Sequence, residues 1–262
     1  MRAILAVIAM VLSLLPTTSS VAGFIGVSLD GDVYSINELT GSGSLIGASG
    51  WSQLNSMALD PSGRFLSATR GTSSRIVELD PVTGEGTLFH APFLDDIRAM
   101  AYSPDGILYA IQDVGGVQSH LYMLDLSVPF GDRDVATFIG QSTIGDIQGL
   151  TFAPEGTLYA WSLSSGLITM NPDTAEATDV NGKNDGMPGI ATLAFAPDGT
   201  LYGVHDALYT LDIMTGERSL VGMGGYGDVR GFEWIPSPGT LMVFALAGAV
   251  RRHRRRNCGR SV

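Results

Sequence analysis

Residues 190–222 read IATLAFAPDGTLYGVHDALYTLDIMTGERSLVG, and near-copies of this stretch recur along most of the chain. Apolar residues alternate with others in short runs, a period of two that is typical of half-buried strands. Turn residues separate these runs, which are 190–195, 200–204, 207–212 and 218–221. In the first turn, Pro197 presets its own φ and Gly199 accepts a positive φ. One copy therefore predicts a four-stranded antiparallel meander.

The Pro-x-Gly turn recurs with its proline at 61, 104, 154 and 197, which gives intervals of 43, 50 and 43 residues. A period in the forties with four strands per unit is the mark of a β-propeller, in which each sheet packs between two neighbours. The sequence therefore predicts an all-β propeller. The longer interval carries extra residues that we predict to be loops at 114–120 and 127–134.

The two ends of the repeat region predict how the ring closes. Residues 26–49 match the second, third and fourth strands of a unit, whereas 228–236 match a first strand alone. Together the two fragments complete one blade and remove the free sheet edges. First strands near residues 54, 97, 147, 190 and 229 give a five-bladed propeller of four-stranded antiparallel blades over 23–236.

Charge excludes one class of partner. All 26 acidic residues lie between 24 and 236, where eight Lys and Arg oppose them, so this part of the chain carries −18. Such a field repels phosphate backbones, and we expect no nucleic-acid binding. It is compatible with calcium, with cationic polymers or with simple solubility. The single cysteine, Cys258, lies outside the repeats, so the propeller has no internal disulfide.

The first 22 residues have the pattern of a secretory signal peptide. Arg2 precedes an apolar run at 3–15, and the small residues Ser20-Val21-Ala22 offer a cleavage site before Gly23. A membrane anchor is the alternative, although the apolar run is short for a bilayer. We expect export, with removal of residues 1–22 by signal peptidase.

The other end carries a tripartite pattern. Pro236, Pro238 and Gly239 precede the apolar run 241–250, and an arginine cluster follows it. This pattern resembles the PEP-CTERM sorting signal of bacterial exported proteins, with Ser237 where the family usually carries Glu and a trailing tail at 257–262. The resemblance implies a short membrane helix within 235–256, recognition by an exosortase-type protease, and release or attachment at the cell surface. A plain tail anchor is the alternative. The cluster consists of Arg251, Arg252, Arg254, Arg255 and Arg256.

Candidate ligand-binding residues follow from the propeller topology. The connections before first strands and the turns between second and third strands share one face, around the mouth of the central channel. The polar residues predicted there are Asp96, Arg98, Asp146, Gln148, His205, Asp206, Asp228 and Arg230, accompanied by Asn55, Asp95, Asp113 and His120. Such a set suits a metal, a sugar or acid/base chemistry, and it would equally form a solvated rim.

Other sequence features have structural interpretations as well as functional ones. Residues 179–186 faintly resemble an oxygen-rich calcium loop, although Lys183 occupies a position where a carboxylate is wanted, and a polar connection is the alternative. Aromatic and methionine side chains recur at matched repeat positions, which predicts packing between blades. Trp51 and Trp161 lie outside that register. The matched residues are Met57, Met100, Tyr109, Phe152, Tyr159, Phe195 and Tyr202.

Three functions stay open at this point. The first is an exported, non-enzymatic propeller that binds an extracellular polysaccharide or a surface protein and needs no cofactor. The second is an exported hydrolase or lyase that acts on a carbohydrate or lactone at the channel mouth. The third, a quinone-dependent dehydrogenase, is disfavoured because Leu88 and Leu220 stand near the positions where such propellers carry tryptophans that dock between blades.

Overall fold

A computed structural model describes residues 23–180 and 190–235, in which five four-stranded antiparallel sheets form a closed ring. Blade 1 combines β20 (Val229–Ile235) with β1 (Gly23–Ser28), β2 (Asp32–Asn37) and β3 (Gly43–Ala48). Blade 2 is β4 (Ala58–Leu59), β5 (Phe65–Ala68), β6 (Ile76–Leu79) and β7 (Gly86–His90). Blade 3 is β8 (Ile97–Tyr102), β9 (Leu108–Val114), β10 (Gln118–Leu124) and β11 (Ala136–Gln141). Blade 4 is β12 (Ile147–Phe152), β13 (Leu158–Ser162), β14 (Gly166–Met170) and β15 (Ala177–Asp179). Blade 5 is β16 (Thr192–Phe195), β17 (Leu201–Val204), β18 (Ala207–Leu211) and β19 (Arg218–Met223).

The last strand closes the ring on the first. β20 pairs antiparallel with β1, with Phe24 opposite Trp234 and Gly26 opposite Phe232. The rings of Phe24 and Phe232 stack at 4.1 Å between centroids, and both side chains are fully buried. The prediction of five blades joined through their N- and C-terminal strands is confirmed. All twenty strands of the described residues fall within 23–235, so the ring closes without any residue beyond them.

Aromatic pairs fill the spaces between neighbouring blades. Tyr109 of blade 3 meets Phe152 of blade 4 at 5.3 Å between ring centroids, and Tyr159 of blade 4 meets Phe195 of blade 5 at 5.6 Å. Tyr202 of blade 5 packs on Phe24 of blade 1 at 4.9 Å. The first two contacts join equivalent positions of the repeat, a tyrosine on the second strand and a phenylalanine on the first strand of the next blade. The predicted use of the matched aromatic positions for packing between blades is therefore correct.

Inner strands of neighbouring blades approach each other closely at two glycines, Gly231 on β20 and Gly149 on β12. A Cβ added to Gly231 would lie 2.5 Å from the backbone oxygen of Ser56 in blade 2. One added to Gly149 would lie 2.8 Å from the Cα of Thr192 in blade 5. Backbone atoms therefore approach each other closely across these two blade boundaries.

Two local details differ from the sequence prediction. β10 begins at Gln118, so 118–120 is strand and only 115–117 forms the turn, where Gly115 and Gly116 adopt φ of 68° and 82°. The first strand predicted near residue 54 is the two-residue strand β4, which begins at Ala58, and Leu54 forms an isolated bridge to Thr69 upstream of it. The hydroxyl of Ser56 accepts the Ala68 N–H at 3.2 Å and so replaces the ladder hydrogen bond there.

The tryptophans outside the repeat register have structural positions. Trp51 lies in the connection between blades 1 and 2, and its Nε1 donates to the carbonyl of Gly86 at 3.1 Å. Trp161 is buried on β13, where it packs in a cluster with Ile190 and Leu193 of the next blade. Both side chains therefore fasten neighbouring blades together.

Several sequence predictions fall outside the described residues. These are the signal peptide at 1–22, the sorting signal beyond Ile235 with its prolines and arginines, the tail at 257–262, and most of the calcium-like loop, since 181–189 is not described. Across residues 23–180 and 190–235, no helix has the length and apolar character needed to cross a bilayer.

Candidate functional site

Each inner strand starts at the same end of the channel, which we call the mouth. The residue before the strand has a left-handed backbone in three blades, with φ of 44° at Asp96, 55° at Asp146 and 51° at Asp228. In blade 2 the corresponding residue is Gln53, with φ of 63°, which precedes the isolated bridge residue Leu54. Each of the four carbonyls accepts a backbone N–H from the end of the second strand of its blade, at 2.8 to 3.0 Å. Asp tolerates this conformation better than most residues. The same backbone turn thus positions a polar residue at the mouth in these blades.

The left-handed Asp residues bind the side chain two positions later. Asp96 accepts two hydrogen bonds from Arg98, at 3.0 Å to Nε and 2.8 Å to Nη2. Asp146 accepts one from Gln148 Nε2 at 2.9 Å, and Arg230 Nε donates to Asp228. Residues two apart on a strand point to the same side, which explains the repeated pairing. The Asp-x-Arg and Asp-x-Gln pairs are structural units of the repeat.

Arg98 is the centre of the first cluster at the mouth. Besides Asp96, its Nη2 donates to Asp113 at 2.9 Å and its Nη1 donates to Gln148 of blade 4 at 3.2 Å. Its carbonyl accepts the side-chain amide of Asn55 from blade 2 at 3.0 Å. The side chains of Arg98 and Asp113 are only 12% and 6% exposed. Arg98 therefore joins three blades, through charge-assisted hydrogen bonds within blade 3 and to blade 4 and through its backbone carbonyl to Asn55 of blade 2.

A second cluster joins blades 5 and 1. His205 Nε2 lies 2.9 Å from an oxygen of Asp228, and its Nδ1 lies 3.2 Å from Asp206. Asp228 also accepts from Arg230, and the backbone N–H of Asp228 donates to the Asp206 side chain at 3.0 Å. The imidazole is thus held between two carboxylates.

Charges at the mouth compensate each other to different degrees. Burial disfavours ionised Asp96, but the hydrogen bonds and charge of Arg98 outweigh it and hold the pKa of Asp96 below its ordinary value. The same holds for Asp228, where His205 and Arg230 outweigh burial and lower the pKa. Burial prevails at Asp113, whose pKa is raised despite the nearby charge of Arg98. Its Oδ1 is buried and has no hydrogen-bond partner within the described residues.

The structure brings all eight predicted mouth residues together at this end, in these two clusters. Asn55 and Asp113 join the first cluster, as the topology suggested. Asp95 is exposed and accepts the backbone N–H of Ser73 at 2.6 Å, outside both clusters. His120 is not at the mouth cluster either, since it lies on β10 and its ring packs edge-on against Phe138 of the outer strand.

Sequence reasoning missed Arg70. Its Nε lies 3.6 Å from Asp96, and its backbone N–H donates to the carbonyl of Gln53 at 2.8 Å, which fixes it at the mouth. A signal existed, because Arg70 follows Pro61 at the spacing by which Asp113 follows Pro104. The repeat register would therefore have placed it with the other mouth residues.

The described part of the chain has no preformed set of metal ligands. Among the residues that the structure describes, no three His, Cys, Asp or Glu side chains are grouped so that they could hold a metal ion. The carboxylates of the mouth bind arginines, His205 and Gln148 instead.

The opposite end of the channel, which we call the turn end, carries the Pro-x-Gly turns. Its concavity has a volume of about 420 Å³ and an apolar lining. Prolines from four blades and aromatic rings from three surround it: Pro61, Pro104, Pro154, Pro197, Tyr102, Phe152 and Phe195. Gly23, where β1 begins, and Ile235, where β20 ends, also lie at this end, because they pair in register with each other.

Glu233 is an ionisable residue near the otherwise apolar turn end, on β20. Burial raises its pKa to about 7, although the backbone N–H groups of Trp234 and Leu59 favour the charged form. The Trp234 N–H donates to Glu233 Oε1 at 3.1 Å. Among the described residues, no Lys, Arg or His forms an ion pair with Glu233. The neutral form of the Glu233 carboxyl group is therefore more favoured than it is for a carboxyl group in water.

Comparison with known proteins gives the fold and no family, since no family model and no curated protein matches the chain. One similar structure comes from work on the de novo evolutionary emergence of a symmetrical protein, with a TM-score of 0.55, 21% identity, and coverage of 80% of this chain and 97% of that chain. A nidogen/laminin complex gives a TM-score of 0.56 and 10% identity over 82% of this chain and 99% of that one. The gluconolactonase XC5397 from Xanthomonas campestris gives 0.50 and 16% identity over 78% and 72%. The chain thus has a β-propeller fold, and the proteins that share it include both a binding complex and an enzyme.

Proposed function

We propose that this protein is an exported bacterial cell-surface or extracellular propeller that acts as a non-enzymatic binding module. In this proposal signal peptidase removes residues 1–22, and an exosortase-type membrane protease processes the signal at 235–256. The short helix of that signal anchors the protein transiently in the inner membrane. The amino-acid pattern at the two ends of the chain supports export and processing. The arrangement of the mouth supports binding.

One observation carries the binding role: the partly exposed carboxylates of Asp96 and Asp228 at the mouth bind arginine side chains. A catalytic base or nucleophile needs a carboxylate that is free to accept a proton or attack a substrate. Asp96 and Asp228 instead have lowered pKa values and hold the guanidinium groups of Arg98 and Arg230 in place. The mouth therefore presents oriented N–H donors, which suit recognition of a polar ligand such as an extracellular polysaccharide or a surface protein.

The position of the chain ends is consistent with this role. Gly23 and Ile235 lie at the turn end, and the mouth lies at the other end of the channel. The last described residue, Ile235, therefore lies at the end of the channel away from the mouth.

Export and processing can be tested in two strains that differ only in an exosortase gene. We expect the secreted chain to begin at Gly23 in both strains and to lose its arginine cluster only in the strain with the protease. A variant with Pro236→Ala and Pro238→Ala is the matched control and should keep its tail. A chain that retains residues 1–22, or one that keeps its tail in both strains, would contradict this part of the proposal.

A hydrolase or lyase is the second candidate, and Asp113 is the observation that favours it. Its raised pKa and its unpartnered Oδ1 are properties of a general acid. Residues 23–235 should be assayed with aryl glycosides, lactones and polysaccharides, beside an Asp113→Asn variant. Turnover that the variant loses would replace the binding proposal with the enzymatic one. Binding without turnover supports the module proposed here.

A further inference from the structure

Arginines are scarce in the propeller, yet three of them converge on the mouth. Residues 24–236 carry eight basic side chains against 26 acidic ones, and Arg70, Arg98 and Arg230 reach the same end from blades 2, 3 and 1. Burial, followed by the charges of Arg98 and Arg230, lowers the pKa of Arg70, opposed by the charge of Asp96. The charge of Arg70 is therefore disfavoured by the charges of Arg98 and Arg230.

The hydrogen-bond donors of these arginines are unevenly used. Arg98 donates from Nε, Nη1 and Nη2 to three side chains. Arg230 donates from Nε alone, and Arg70 has only the 3.6 Å contact of its Nε with Asp96. Within the described residues, the terminal Nη groups of Arg70 and Arg230 have no acceptor, although their side chains are only 25% and 21% exposed.

Such groups are suited to an oxyanion. A guanidinium presents paired N–H donors that match a carboxylate or phosphate, and the charge makes these hydrogen bonds strong. An anion between two arginines also removes their mutual repulsion. Asp96 and Asp228 hold the two groups in place from the side, which lowers the conformational entropy that a ligand would have to offset.

Hydrogen-bond acceptors are also present at the mouth. Asp146 has one described side-chain partner, Gln148, and Asp206 is 62% exposed, so both carboxylates can accept hydrogen bonds from hydroxyl groups. The ligand that uses both kinds of group carries hydroxyls and a single negative charge. A long polyanion is disfavoured, because the surrounding charge of −18 repels it.

We infer that the mouth binds a hydroxylated carboxylate of the sugar-acid class, with the carboxylate held between the Nη groups of Arg70 and Arg230. This inference rests on the binding function proposed above and names the ligand class for the same site. The sugar acid is either a free molecule or the terminal residue of a polysaccharide chain. Both sources present the same carboxylate and the same hydroxyl groups.

The test is calorimetric titration of residues 23–235 with D-glucuronate, D-glucose, inorganic phosphate and a short oligosaccharide that ends in glucuronate. We expect glucuronate to bind at least ten times more tightly than glucose. Tighter binding of the oligosaccharide identifies a chain end as the source, and equal affinity identifies the free acid. Arg70→Gln and Arg230→Gln should each weaken glucuronate binding by ten times or more.

Arg75→Gln is the matched control. Arg75 lies on the same turn as Arg70, but its guanidinium donates to the carbonyls of Ser73 and Ser74, so its loss should change the affinity less than twofold. Thermal unfolding of each variant separates lost binding from lost folding, because a ligand raises the unfolding temperature only of a folded chain that binds it.

The outcomes separate the two proposals. If neutral sugars bind and Arg70→Gln leaves their affinity unchanged, the oxyanion inference is wrong and the binding module stands. If phosphate binds as tightly as glucuronate, the oxyanion site stands and the sugar-acid class is wrong. If neither these probes nor neutral oligosaccharides bind to the folded protein, both the inference and the proposed use of the mouth are wrong.

Discussion

The mouth and the turn end are built from the same five inner strands, and they treat ionisable groups in opposite ways. At the mouth, Asp96 and Asp228 are ionised beside arginines that lower their pKa values. At the turn end, Glu233 has no cation beside it, and burial raises its pKa to about 7. The repeat therefore fixes where a residue lies, whereas its neighbours decide its charge.

The largest effect should come from removing the central cation of the mouth. Arg98→Met leaves Asp96 and the nearly buried Asp113 without their partner, and breaking such a pair costs about 3 kcal/mol. Chemical denaturation at pH 7 would measure this loss in the free energy of unfolding. Arg75→Met on the same face should cost less than about 1 kcal/mol, because exposed polar contacts contribute little.

A second variant makes the result at Arg98 specific. Adding Asp113→Asn to Arg98→Met removes one of the two stranded carboxylates, so we expect the double variant to recover part of the loss. Equal stability of Arg98→Met and the unmodified chain would show that charge pairing does not hold the mouth together.

Glu233→Gln should have the next largest effect, with the opposite sign. The folded pKa of about 7 lies above the unfolded value of 4.5, so the unmodified chain loses stability as the pH rises from about 4.5 through 7. Glutamine keeps an acceptor for the backbone N–H groups and cannot ionise. We expect the variant to be more stable by about 2–3 kcal/mol at pH 8 and nearly unchanged at pH 4.

Urea denaturation across pH 4 to 9 would measure this difference. Glu217→Gln, at an exposed turn position, is the control and should follow the unmodified chain at every pH. If Glu233→Gln raises the free energy of unfolding by the same amount at every pH, ionisation of the Glu233 carboxyl group is not the cause of the gain.

Asp96→Asn should have a smaller effect that appears on the acid side. The folded pKa lies below the unfolded value of 3.8, so the stability from ionised Asp96 is present above that value and is lost as the pH falls through the folded pKa. At pH 7 we expect the variant to be less stable by about 1 kcal/mol, since Asp96 is partly exposed. The difference in free energy of unfolding between the variant and the unmodified chain should shrink between pH 4 and pH 3. A difference that stays constant would show that the charge of Asp96 is not its cause.

The smallest effect should come from the outer rim of the turn end. Val82 and Met214 are 82% and 79% exposed at the tips of turns. Replacing both with Ser should change the free energy of unfolding by less than about 0.5 kcal/mol per site. If thermal unfolding shows a loss above about 1 kcal/mol in the free energy of unfolding, these side chains pack against other residues of the protein.

Much of the mouth could be predicted because it repeats. The interval between Pro-x-Gly turns indicated a propeller, and the first strands near residues 54, 97, 147, 190 and 229 gave the blade count. The Asp-x-Arg and Asp-x-Gln pairs marked the inner strand starts in three blades. His120 was placed wrongly because the blade 3 hairpin is longer than those of its neighbours, so the residue belongs to β10 and not to a loop. Arg70 was overlooked because no Asp lies two residues before it to mark it as part of a pair.

By itself, the sequence determined the five-bladed ring and its closure, since hydrophobic alternation and turn residues act locally and recur in every unit. Only the tertiary structure decided which charges are paired and which donors are left over, because Arg98 meets Gln148, and Glu233 meets Leu59, across blade boundaries. Those contacts depend on the angle and spacing of neighbouring sheets, which side-chain packing sets over the whole ring.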